Sequence, residues 1–219
     1  MKQLDIAKDC NKIAVIGFGF CAKILISHLI AKDKKSKFLI FDYKKENLQN
    51  HAFANFSPHY ILNVSANNMS AFSNNKYDFC NFLQKNYPQI LNKIGESGHA
   101  PRHIYGEYIE EISSKYLNNN QQISFIQKEV VTITTNSEAN FFITTKDNEK
   151  FEANKVVIAT SFKQKTLPFS TPKSGKIINK LWNDSLNFHQ NPLDNNSTCL
   201  IVGAGLSAVD VIVGLKNKN

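Results

Sequence analysis

Gly17-Phe18-Gly19-Phe20-Cys21-Ala22 has the spacing G-x-G-x-x-A, and Gly203-Ala204-Gly205-Leu206-Ser207-Ala208 repeats it near the end of the chain. In each, the first glycine permits a tight strand-to-helix turn and the second lets a pyrophosphate approach the backbone. The small last residue lets the helix sit close on the strand. A phosphate at such a helix start meets N–H donors and the positive end of the macrodipole. This is binding chemistry. The sequence carries no Ser/His/Asp constellation and no Cys-x-x-Cys or Cys/His ligand spacing, so no catalytic side chain and no metal is assigned.

The flanking residues have to place these turns. Ile13–Ile16 is an apolar run short enough for a buried parallel strand, and Leu25, Ile26, Leu29 and Ile30 recur at helical spacing behind the first turn. Phe38–Phe41 is a second buried strand, ending on Asp42 close to where an acid that binds a ribose hydroxyl belongs. Strand, turn, helix, strand and acid in this order point to dinucleotide binding. The alternative is an α/β core with a glycine turn made for packing and a surface aspartate. Lys44 and Lys45 would suit a 2′-phosphate but Asp42 would repel one, so FAD or NAD fits the first turn better than NADP. At the second turn Cys199–Val202 is the expected strand, and Val209, Val211, Ile212, Val213 and Leu215 give a mostly apolar helix.

Between the turns, residues 50–75 are rich in asparagine and serine and form a long loop rather than a second regular crossover. His59 within it has the surroundings of a surface or hydrogen-bonded histidine. Tyr77–Asn86 is an expected helix, with Phe79, Phe82 and Leu83 on one face. Gly95–Pro101 is a connection to another helix that buries Tyr108, Ile109, Ile112 and Tyr116 and ends by Asn118–Gln122. Arg102, at its start, is either a phosphate partner or a surface arginine. Ile123–Ile126, Val130–Thr135, Phe141–Thr145 and Lys150–Glu152 form an expected β-meander, and Lys155–Thr160 returns to the parallel sheet. Residues 162–198 are irregular.

Composition narrows the class. With 219 residues, 42% of them hydrophobic, the chain suffices for a sizeable core. The net charge of +8 comes from lysines scattered among asparagines, without the basic stripe and interleaved aromatics of a nucleic-acid binder. Cys10, Cys21, Cys80 and Cys199 read as reduced, mostly buried thiols of a cytoplasmic protein. Residues 13–31 are apolar, but Lys23 and His28 interrupt them. A lysine at a membrane-helix centre costs about 2.5–3.5 kcal/mol, so no span is expected.

The chain resembles the flavoproteins with two dinucleotide-binding folds, FAD in the first and NAD(P)H in the second, which include flavin-dependent monooxygenases. Within them it is similar to the bacterial FAD/NAD(P)-binding subgroup that includes FAD-dependent urate hydroxylases. The likeness rests on GFGFCA at 17–22, HYILNVSANNMS at 59–70, PRHIYGEYIEEI at 101–112, VVIATS at 156–161 and GAGLSAVD at 203–210. It implies that Gly17, Gly19 and Ala22, with Phe20 and Cys21 in the same turn, hold the FAD pyrophosphate, and that Asp42 binds the adenosine ribose. Val130 would touch adenine through its backbone, Asn63 and Ser65 would face the flavin, and Arg102, Ala159 and Thr160 would lie close to the cofactor. Gly203, Gly205 and Ala208 would receive the nicotinamide nucleotide.

Three features depart from that pattern. Ala159-Thr160-Ser161 stands where the family has Ala-Thr-Gly, the loop before His59 lacks a glycine, and Asn219 comes one strand and one helix into the second fold. The expected fold is α/β, with a Rossmann-like FAD-binding domain (parallel sheet with β-meander) over 1–197. Residues 198–219 would be the truncated start of an NAD(P)H-binding domain. The expected function is a monooxygenase-like FAD oxidoreductase with NAD(P)H as reductant. The alternatives are a truncated non-catalytic remnant, a nucleotide-binding subunit completed by a partner chain, or NAD binding without flavin. An apolar tail predicts packing on the FAD domain, pairing with a complementing polypeptide, or self-association.

Overall fold

The computed structural model describes residues 11–43, 53, 58–137, 140–160, 170, 177 and 197–217. The chain divides into two compact units, Met1–Gln49 with Ile109–Phe162, and Asn50–Tyr108 with Lys163–Asn219.

In the first unit the apolar runs become strands β1 (Lys12–Ile16) and β2 (Lys37–Phe41), joined by helix α1 (Phe20–Lys32). They pair in parallel with Ile13 opposite Phe38 and Ile16 opposite Phe41. Strand β3 (Ile123–Ile126) lies outside β2 and strand β7 (Lys155–Ile158) outside β1, giving the order β3-β2-β1-β7. Because side chains alternate along a strand, Ile13, Val15, Phe38 and Ile40 point to one face. There they pack on Ala22, Ile26 and Ile30 of α1 and on Leu117. Ala14, Ile16 and Phe41 point the other way, onto Ile143 and Ala153. Those two belong to a three-stranded antiparallel sheet of β4 (Val130–Thr135), β5 (Phe141–Thr145) and β6 (Lys150–Ala153), in that order. This burial on both faces is what near-continuous apolar strands require. Fully burying a side chain of this kind is worth about 1.5–3 kcal/mol.

Two strand expectations need correction. Ile123–Ile126 does not join the meander. Gln122 draws it to β2, accepting the Phe38 N–H at 2.7 Å through its backbone carbonyl. The Gln122 side-chain amide also donates to the carbonyls of Asp33 and Ser36 at 3.0 and 2.9 Å. Cys199–Val202 forms no strand. A strand exists through its ladder, and none among the described residues pairs with this run. Leu200 and Val202 stand 86% and 74% exposed.

The second unit is helical. Helix α2 (Asp78–Asn86) was expected. Helix α3 (Pro88–Ile94) was not, although Pro88 at its first position and Gly95 at φ +67° after its last residue are the usual signals. Helix α4 (Arg102–Leu117) starts in this unit and ends in the first, and helix α5 (Leu206–Lys216) follows the second glycine turn. Phe79 and Tyr105 meet edge to face with ring centres 5.0 Å apart, and Phe82 and Tyr108 pack beside them. The Tyr108 hydroxyl accepts the Ala71 N–H at 2.9 Å and donates to Asp78 at 2.7 Å, which secures the 60s–70s loop. Of the described cysteines only Cys80 is buried. Cys21 and Cys199 are exposed, against the expectation of mostly buried thiols. At Cys21 the reason is local, because the next two residues of α1, Ala22 and Lys23, take the inward positions.

Candidate functional site

The first turn is closed by its own chain. Gly17 has φ +91°, a left-handed conformation that disfavours any side chain. Its N–H donates to the Phe41 carbonyl at 2.8 Å, and the Ala159 N–H donates to the Ile16 carbonyl at 2.8 Å. The end of β7 therefore lies against the turn, so that a Cβ on Gly17 would meet the Ala159 carbonyl oxygen at 2.8 Å and the Thr160 nitrogen at 3.1 Å. Gly19 is the N-cap of α1 with extended backbone (φ −84°, ψ −171°). It brings no side-chain cap, and no acidic residue sits in the first helical turn. This cradle suits a diphosphate, offering it the N-terminus of a helix. Phe20, Cys21 and Ala22 form that first turn, with Ala22 fully buried against the sheet.

Asp42 is half-buried and its carboxylate accepts the Phe18 N–H at 2.9 Å, so the acid is part of the turn. Ala159 and Thr160 adjoin the same turn, whereas Ser161 lies outside the described residues. Val130 opens β4 at a register shift between Val130 and Thr132, half-buried beside Ile143.

Two residues not singled out as site residues in the sequence help to hold the turn. Phe18 is buried and packs edge to face on Phe125 at 4.9 Å. Lys23 is 1% exposed; its ammonium pairs with Glu110 and lies 5.6 Å from the centre of the Phe18 ring. Burial pushes the Lys23 ammonium below the ordinary lysine pKa, and Glu110 opposes that shift.

In the second unit, Asn63 is exposed. Ser65 donates its hydroxyl to Asn67 at 2.8 Å and accepts from Asn68 at 2.9 Å at the start of a short 3-10 turn, Ala66–Asn68. Arg102 is not a plain surface arginine. Its backbone N–H donates to the Tyr60 carbonyl at 2.8 Å, its Nε to the Ile61 carbonyl at 2.9 Å, and its Nη1 to Asp210 at 2.7 Å. The phenol of Tyr60, 4% exposed, is pushed up to about 12, first by burial and then by the Asp210 charge, with Arg102 opposing.

The second glycine turn repeats the first in backbone conformation. Gly203 has φ +116°, and Gly205 caps α5 at φ −79°, ψ −178°, again without a side-chain cap or first-turn acid. The surroundings differ, because a Cβ on Gly203 or Gly205 would meet nothing within 4 Å. Ala208 is half-buried.

Residues 14–163 match the family described as FAD-NAD(P)-binding, well over half of the chain. The chain belongs to this FAD-NAD(P)-binding family. FAD and NAD(P) are accordingly its cofactors, and the α/β class read from the sequence holds. No curated protein matches the sequence. Among solved structures, a cyclohexanone monooxygenase mutant from Rhodococcus sp. Phi1, bound to NADP+, is 18% identical with a TM-score of 0.48, covering 68% of this chain and 26% of that one. An oxidised steroid monooxygenase bound to NADP is 15% identical with a TM-score of 0.48, covering 72% of this chain and 27% of that one. The chain thus spans about a quarter of the length of either protein. Among the described residues no group of His, Cys, Asp and Glu is disposed to hold a metal ion, and no helix is long and apolar enough to cross a membrane.

Proposed function

We propose that the chain is an FAD-binding oxidoreductase of monooxygenase type that uses NAD(P)H, related to the bacterial subgroup containing FAD-dependent urate hydroxylases. One observation carries the reading: two glycine turns of the same backbone conformation each open an uncapped helix in a chain of the FAD-NAD(P)-binding family. Gly17, Gly19 and the first turn of α1 admit the FAD pyrophosphate, and Asp42 accepts from the ribose while disfavouring a 2′-phosphate. The backbone of Val130 serves adenine, Asn63, Ser65 and Arg102 serve the flavin side, and Ala159 and Thr160 wall the turn. Gly203, Gly205 and Ala208 take the nicotinamide nucleotide. Bound flavin would supply the redox chemistry, accepting electrons from NAD(P)H.

In this reading residues 1–197 form the FAD-binding domain and 198–219 open a second dinucleotide-binding fold, in a cytoplasmic protein. The exposed row Leu206, Val209 and Ile212 of α5 is then covered by a complementing polypeptide or a second copy. The test is the absorbance spectrum of the purified protein after addition of FAD and removal of the excess, followed by titration with FAD and with NAD+ separately. Retained oxidised flavin and tighter binding of FAD than NAD+ are expected. Equal or tighter NAD+ binding at the first turn, with no retained flavin, would overturn the reading.

A further inference from the structure

The buried side of helix α1 carries a charge. Its buried residues are Ala22, Lys23, Ile26, Ser27 and Ile30. Ser27 turns its hydroxyl back onto the Lys23 carbonyl at 2.8 Å and is satisfied within the helix. The Lys23 ammonium is paired instead with Glu110, which belongs to the same unit. An apolar residue of similar length would fill this place without the desolvation cost of an ammonium. Stability alone therefore does not account for a lysine here.

Its place beside the turn does. Lys23 closes the first turn of α1, its N–H donating to the Gly19 carbonyl at 3.0 Å, and its ammonium lies 5.6 Å from the centre of the Phe18 ring. Within about 6 Å a cation is drawn to an aromatic face, most strongly where both are out of water. Lys23 and Phe18 are both buried. Phe18 stands between Gly17 and Gly19, so its ring is the only side chain by which packing can grip that segment. Phe125 meets the ring edge to face at 4.9 Å, and the Phe18 N–H donates to the Asp42 carboxylate at 2.9 Å.

We infer that Lys23 is a positioning residue for FAD. By holding the Phe18 ring it fixes the Phe18–Gly19 backbone on which the diphosphate rests, and the N–H that orients Asp42 for the ribose. This rests on the assignment of FAD to the first glycine turn. A looser ring would let that peptide turn, and the turn would have to be ordered again each time FAD binds, which lowers affinity.

The experiment measures the FAD dissociation constant of the full chain by flavin fluorescence and the phosphorus NMR resonances of the bound diphosphate. It compares the native chain, Lys23→Met, Phe18→Leu and the double variant, with thermal unfolding of each in the absence of nucleotide. Lys23→Met should bind FAD about tenfold more weakly and shift the diphosphate resonances, while its unfolding midpoint stays close to the native one. Because the lysine acts through the ring, the double variant should bind FAD no more weakly than Phe18→Leu alone. Native affinity in Lys23→Met, unshifted diphosphate resonances, or fully additive losses in the double variant each overturn the inference and leave FAD at the first turn. A native chain that binds no FAD overturns the site assignment, and the inference with it. Should Lys23→Met or Phe18→Leu not fold, Glu110→Gln decides. It keeps ring and ammonium but removes a charged partner of the ammonium, so FAD binding should weaken and the same resonances shift. Unchanged FAD binding by Glu110→Gln would then overturn the inference.

Discussion

The carbonyl oxygen of Ala159 lies 2.8 Å from the point where a Cβ on Gly17 would stand. The turn and the end of β7 are therefore fitted to each other with no room for a methyl group. Gly17→Ala should be destabilising twice over, by left-handed backbone worth about 1–2 kcal/mol and by the clash. Gly203→Ala should lose only the backbone part, since nothing lies within 4 Å of its Cβ position. Thermal unfolding checks this, at about 2–4 °C per kcal/mol for a chain of this size. An equal drop for the two variants would contradict the asymmetry.

The second glycines behave differently. Gly19 and Gly205 have φ of −84° and −79°, which any residue adopts, so valine there meets no backbone strain. Gly19→Val is expected to weaken FAD binding at least about tenfold, a loss of about 1.4 kcal/mol, with nicotinamide-nucleotide binding retained. Gly205→Val should do the reverse. Calorimetric titration of each folded variant with both nucleotides provides the check, and undiminished FAD binding by Gly19→Val would remove the pyrophosphate from the first turn.

Much of the first turn was legible in the sequence because its signals are local. Ile13–Ile16 and Phe38–Phe41 are apolar as buried parallel strands must be, and Gly17, Gly19, Ala22 and Asp42 fall at spacings set by one strand, one helix and one strand. What escaped is non-local. Strand β3 has the alternation of a meander strand, and only its pairing with β2 places it elsewhere. Cys199–Val202 has the composition of a strand, but no partner among the described residues makes it one. The acid that pairs with Lys23 lies 87 residues on, and the one that engages Arg102 lies 108 residues on. No spacing rule reaches that far.

The Lys23–Glu110 pair should respond unequally to loss of either partner. Glu110 is 38% exposed and can fall back on water, whereas Lys23 is 1% exposed and cannot. Glu110→Gln, which removes a charged partner of the buried ammonium, should cost about 1–3 kcal/mol, less than the 3–5 of a fully buried pair. Lys23→Met removes the buried charge and should cost less than that or stabilise. Because burial lowers the Lys23 pKa from 10.5, the folded state holds fewer protons than the unfolded one just below that value. The stability contributed by this group accordingly rises with pH there. Urea unfolding of both variants measures the asymmetry, and a larger loss for Lys23→Met would refute it.

Buried tyrosines act with the opposite sign. Tyr105 is 4% exposed, and burial pushes its phenol from 10 up to about 12. Between these values the unfolded chain has lost a proton that the folded chain keeps. The contribution of Tyr105 is therefore fully present below about pH 10 and is lost as pH rises toward 12, at about 1.4 kcal/mol per pH unit. Tyr60, also pushed up to about 12, adds to the same loss. Tyr105→Phe keeps the ring against Phe79 and removes the proton that titrates. Its stability, followed by urea unfolding from pH 8 to 11, should fall less steeply above pH 10 than that of the native chain. Identical slopes above pH 10 would mean that the Tyr105 phenol is not held out of water in the folded protein.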